Sequence, residues 1–168
     1  MNRMSAENIF TDYKIIAFAK IAEQVRKWRK EGRSLVFTNG CFDLLHAGHV
    51  RYLQTAATFG DIFMLGLNSD SSVRKLKGRQ RPIMLQADRA FLLSALEVID
   101  CVVIFDEETP ERLIETVLPD VLVKGGDYLA EDIVGYDIVM NNGGRVEIVP
   151  FVEGKSTTGT VNLIMEQA

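Results

Sequence analysis

The chain has 168 residues, 47% hydrophobic and 25% charged, which suits one globular domain with a core of ordinary size. With 19 Lys and Arg against 23 Asp and Glu the net charge is −4. That balance argues against a sequence-blind grip on nucleic acid, but not against a local cationic pocket for a small polyphosphate.

In chain order, the spacing of Ile15, Phe18, Ala19, Ala22, Val25 and Trp28 predicts a helix over 12–31, stopped near Gly32. A buried strand is expected at 34–38, a helix at 47–60 ending on Gly60, a strand at 61–68 and a helix at 86–99. Strands follow at 101–105 and 121–125, separated by a helix over 109–118 with Thr109 as N-cap and Pro110 in its first turn. A helical stretch around 131–142, a strand at 145–150 and a last helix from about Thr157 complete the chain. Short, continuously apolar strands alternating with helices predict an α/β fold: a doubly wound, five-stranded parallel sheet of Rossmann type. The expected organisation is an N-terminal helical extension over 1–33 packed on a domain spanning 34–168. The segment 77–85, KGRQRPIML, is expected to be structureless, either as a solvated basic loop or as a mobile loop over an anionic substrate.

Cys41 and Cys101 lie in apolar, strand-like surroundings and read as reduced thiols, not a disulfide. The opening residues MNRMSAENIFTDYK carry no apolar signal core, and no apolar run approaches membrane-spanning length. The expectation is a cytoplasmic protein without membrane contact.

The only two histidines flank a glycine in TNGCFDLLHAGHV, residues 38–50, where the first strand hands over to a helix. In a doubly wound sheet ligands bind at the carboxyl ends of the strands, and a helix start favours anions. His46 and His49 at that junction, with Gly48 allowing close approach to backbone, therefore suggest a phosphate cradle. Simple capping or packing is the bland alternative. A zinc site from Cys41, Asp43, His46 and His49 is disfavoured, because Cys41 falls in the strand-end run and no second Cys/His cluster completes the set.

HAGH at 46–49 resembles the H-x-G-H motif of the nucleotidyltransferase superfamily, which includes the cytidylyltransferases. EGKSTTGTV at 153–161 resembles that superfamily's closing G-x-S-T-T loop. GLNSDSSVRKLKG, DRAFLLSALEVID and VLVKGGDY lie between them in the superfamily's order. Among its members the pattern is most similar to the heptose 1-phosphate adenylyltransferases. The resemblance implies ATP and a sugar 1-phosphate as substrates, Mg²⁺ arriving with ATP, and direct in-line transfer of AMP with release of pyrophosphate.

By the same resemblance His46, His49, Lys75 and Lys155 would act on the reacting phosphates. Thr38, Asn39, Gly40, Cys41, Phe42, Asp43, Gly48, Asp127, Ser156, Thr157 and Thr158 would bind the nucleotide, with Asp43 helping to set the phosphate or Mg²⁺ arrangement. Lys77 and Arg89 would reach the acceptor. Cytidylyltransferases typically carry Arg-Thr where this chain has Phe151-Val152, and Lys155 is expected to replace that arginine's charge. A cytidylyltransferase for a polyol or amino-alcohol phosphate and a catalytically silent nucleotide-binding domain are the alternatives. Whether the leading helix pairs with a second subunit in a homo-oligomer stays open.

Overall fold

The computed structural model describes residues 12–150 and 157–167, with backbone only at 12, 158, 160 and 162. Five parallel strands form one sheet: β1 (Leu35–Gly40), β2 (Ile62–Asn68), β3 (Cys101–Phe105), β4 (Val121–Gly125) and β5 (Arg145–Val149). Their order is β3-β2-β1-β4-β5, so β1 is central and the topology reverses between β1 and β4. Seven helices connect them among the described residues: α1 (Phe18–Lys30), α2 (Ala47–Ala57), α3 (Asp70–Lys77), α4 (Gln86–Ser94), α5 (Glu111–Val117), α6 (Tyr136–Asn141) and α7 (Thr157–Glu166).

Alternation along the strands sends successive side chains to opposite layers. On one face Leu35 and Phe37 of β1 meet Ile21, Val25 and Trp28 of α1 together with Leu113, Ile114 and Val117 of α5. On the other, Val36 meets Leu53 and Ala56 of α2 with Ala90 and Leu93 of α4. Both faces of the sheet are thus covered, which is why its strands read as unbroken apolar runs.

The leading segment differs from one continuous helix over 12–31. A short 3-10 turn (Asp12–Lys14) comes first, then Ile15 bridges Val102 in parallel, with Ile16 N–H donating to the Val102 carbonyl at 2.9 Å. That bridge lies along β3, the edge strand, and covers part of the open edge. Only then does α1 begin.

Three further departures have local causes. The polar stretch 70–77 forms α3, because the Ser69 hydroxyl accepts from the Ser72 N–H and caps it. Pro110 itself occupies the N-cap of α5, one residue later than the Thr-Pro pattern suggests. The stretch around 131–142 breaks into a 3-10 turn (Ala130–Asp132) and α6, with Gly135 between them at φ 93. No helix among the described residues is long and apolar enough to cross a membrane.

Candidate active site

The carboxyl ends of β1, β2 and β4 open into a cleft of about 1150 Å³ at the topological reversal. The turn after β1 supplies Asn39, Gly40, Cys41, Phe42 and Asp43, and the start of α2 supplies His46, Gly48, His49 and Tyr52. Leu76 and Lys77 of α3, Lys124 at the end of β4 and Thr157 and Gly159 of α7 line other sides.

The turn after β1 is tightly built. Phe42 is buried with φ 44, a left-handed conformation that a bulky residue adopts only under constraint. Its ring crowds Gly40, where a Cβ would fall 2.8 Å from Phe42 Cε2, so a larger residue there would push the ring aside. The same ring meets His49 edge-on, with centroids 5.1 Å apart.

His46 and His49 are not two side chains on a helical face. His46 is the extended N-cap of α2, its Nδ1 accepting from the His49 N–H at 3.3 Å, whereas His49 belongs to the first turn. The rings stack with centroids 3.8 Å apart and planes 18° from parallel. Because Nδ1 of His46 accepts, a neutral His46 carries its proton on Nε2. Burial, then the neighbouring His46, brings the His49 pKa down to about 4. Its Nδ1 is buried with no hydrogen-bond partner among the described residues. A stacked imidazole pair that lines the cleft at a helix start is chemically apt to meet an oxyanion.

Beneath the histidines, Tyr52 fixes α2 to the sheet. Its hydroxyl pairs with Thr38 Oγ1 at 2.6 Å and donates to the Val123 carbonyl at 3.1 Å. Burial pushes the Tyr52 phenol up to about 12, so it stays protonated. Thr38 is fully buried and serves this tie below the cleft floor instead of lining the groove.

Asp43 and Arg89 depart most from what the resemblance implies. Asp43 is buried, and both its oxygens are committed: Oδ2 to Arg81 Nη1 at 2.6 Å, Oδ1 to the N–H groups of Ile83 and Met84 at 2.6 and 3.1 Å. Burial works to raise its pKa, but the Arg81 bond and those two N–H groups hold it below the usual carboxylate range. Asp43 therefore anchors the 78–85 segment through Arg81, Ile83 and Met84 at the edge of the cleft.

Arg89 is 1% exposed and turned inward. It donates to the carbonyls of Met84, Cys41 and Asn68 and pairs with Asp70 at 2.7 Å. Those bonds fix the ends of β1 and β2 and the start of α3, so Arg89 shapes the site from behind, outside the cleft lining.

The K-x-K pair is divided by α3. Residues two apart on a helix point in different directions, so Lys77 lines the cleft whereas Lys75 is exposed and does not. Asp127 is exposed just beyond β4 and is not part of the lining. Lys155 and Ser156 lie outside the described residues, as does the side chain of Thr158. Thr157 is brought to the histidine segment, its Oγ1 donating to the Leu44 carbonyl at 3.5 Å. Tyr52 and Lys124 are absent from the sequence-level set. The one signal for Tyr52 was its spacing three residues after His49; for Lys124 it was a lysine closing an otherwise apolar strand.

Among the described residues no three His, Cys, Asp or Glu side chains converge as a metal cage.

Comparison with known proteins places the chain. A family model described as Cytidylyltransferase-like matches residues 37–158. The chain is 58% identical over 154 residues to the bifunctional protein HldE of Geotalea uraniireducens, covering 92% of this chain and 31% of that one. It is 54% identical over 162 residues to the HldE of Geobacter metallireducens, covering 96% and 33%. It thus spans about a third of the length of the curated relatives it matches. The crystal structure of a lipopolysaccharide core biosynthesis protein from Thermoplasma volcanium superposes with TM-score 0.60 at 27% identity, over 74% of this chain and 100% of the other. With its family match running from the middle of β1 into α7, the chain belongs to the cytidylyltransferase-like family.

Proposed function

We propose that the chain transfers AMP from MgATP to D-glycero-β-D-manno-heptose 1-phosphate, giving ADP-heptose and pyrophosphate. The observation that carries this reading is the stacked His46–His49 pair at the start of α2, sharing one cleft with Lys77 and the start of α7. The choice of nucleotide and acceptor rests on similarity to HldE proteins and to a lipopolysaccharide core biosynthesis protein. Both substrates are soluble phosphates, and the two free thiols suit the reducing cytoplasm where they would be met.

In the proposed reaction an oxygen of the sugar phosphate forms a bond to the α-phosphorus as the bond to the bridging oxygen of pyrophosphate breaks. The nucleophile is already ionised near neutral pH, so the protein's work is positioning and charge stabilisation. His46 donates from Nε2. His49, neutral at this pH, offers a single N–H. Thr157 presents a hydroxyl at a helix start, and Ser156, Thr158 and Lys155 are proposed to extend that cradle toward the outer phosphates. Lys77 neutralises charge on the acceptor side.

A coupled pyrophosphate assay tests the reading by crossing ATP and CTP with heptose 1-phosphate and glycerol 3-phosphate. Turnover is expected only for ATP with heptose 1-phosphate. Turnover with CTP and glycerol 3-phosphate alone would replace this reading by the cytidylyltransferase one.

A further inference from the structure

Lys124 carries the last side chain of β4, facing the cleft where β1 and β4 part. It is mostly buried, and its one hydrogen bond among the described residues is from Nζ to Asn39 Oδ1 at 3.1 Å, a neutral amide. Among the described residues no carboxylate lies within 4 Å of it. Two buried or mostly buried cations near the cleft are matched, Arg81 with Asp43 and Arg89 with Asp70. A buried ammonium facing only an amide is undercompensated, because an amide oxygen replaces part of its hydration but none of its counter-charge. Its pKa is lowered by burial, the direction such a site produces.

From this mismatch we propose that Lys124 binds a phosphoryl oxygen at the cleft floor, with Asn39 holding its ammonium in place until the anion arrives. The inference rests on the adenylyl-transfer reading for its ligand. The phosphoryl group belongs either to the α-position of the nucleotide or to the acceptor, both of which must reach this floor to react.

The test is Lys124→Met in the full chain, with Lys124→Gln as a second variant, read by urea unfolding and by separate KM and kcat values. A structural role predicts a destabilised protein. The binding role predicts that the urea midpoint holds or rises, since a near-isosteric apolar side chain removes an uncompensated charge. Kinetics should then worsen by about tenfold or more. A rise confined to the KM of the sugar phosphate assigns the acceptor; a rise confined to that of ATP, or a fall in kcat alone, assigns the α-phosphoryl group. Lys124→Arg should restore part of the loss. A folded Lys124→Met protein with all constants within about twofold of the parent overturns the proposal while leaving adenylyl transfer intact. Should the parent show no turnover, calorimetric titrations with ATP and, separately, with heptose 1-phosphate decide: weakening of either by about tenfold in Lys124→Met supports the site, and equal affinity for both removes it.

Discussion

Replacing Arg89 by Met distinguishes a residue that builds the site from one that touches substrate. The variant keeps most of the side-chain volume but removes four hydrogen bonds, to three carbonyls and the Asp70 carboxylate. The Arg89 side chain is fully buried and that of Asp70 is 16% exposed, so the carboxylate loses its partner with little water to replace it. Breaking such a pair costs about 3–5 kcal/mol, against a total stability of about 5–15 kcal/mol for a domain. Trp28, the single tryptophan and part of the core under α1, reports unfolding by fluorescence. With a urea m-value of about 2 kcal/mol/M, a loss of about 4 kcal/mol lowers the midpoint by about 2 M at unchanged slope. Removing the stranded charge as well, in Arg89→Met with Asp70→Asn, should recover about 1–3 kcal/mol of that loss. The reasoning fails if the single variant moves the midpoint by less than about 0.5 M while raising the KM for sugar phosphate, which would return Arg89 to the acceptor.

His46→Asn keeps a capping oxygen for the residue 49 N–H but removes the ring donor. Turnover should fall by about 10²–10³ with stability within about 0.5 kcal/mol of the parent, whereas His46→Ala should lose about 1 kcal/mol in addition. Assaying pyrophosphate release beside urea midpoints checks both; equal destabilisation by the two variants would refute the cap. His49 gives a pH signature. Its folded pKa of about 4 lies below the ordinary 6.5, so the unfolded chain takes up the proton first. Its stabilising contribution is complete above about pH 6.5 and drains away as pH falls toward 4, at up to about 1.4 kcal/mol per pH unit. His49→Gln should flatten that part of the midpoint-against-pH curve, and an unaltered curve would show that His49 is not buried as a neutral ring.

The sequence was most legible where both faces of an element are buried. The apolar runs at 101–105 and 121–125 match β3 and β4 to the residue, because nothing but a covered strand accommodates them. Helix α3 was illegible, since its polar residues carry no apolar stripe and its start depends on one hydroxyl bonding three residues ahead. The histidine junction could be found from local pattern, but its stacking could not, because the extended N-cap conformation of His46 sets it. The pairings of Asp43, Arg89 and Lys124 were illegible for a common reason: these partners lie 19 to 85 residues away, and pairing at that separation leaves no local trace.

The way α1 and Ile15 close one side of the sheet governs how the catalytic unit can be excised or spliced. The family match starts at residue 37, inside β1 and after α1. A gene fragment cut there would strip Ile21, Val25 and Trp28 from the layer over Phe37 and Met64, and uncap the outer margin of β3 at Val102. The smallest portable piece therefore begins ahead of Ile15, and any tandem fusion should attach upstream of that residue.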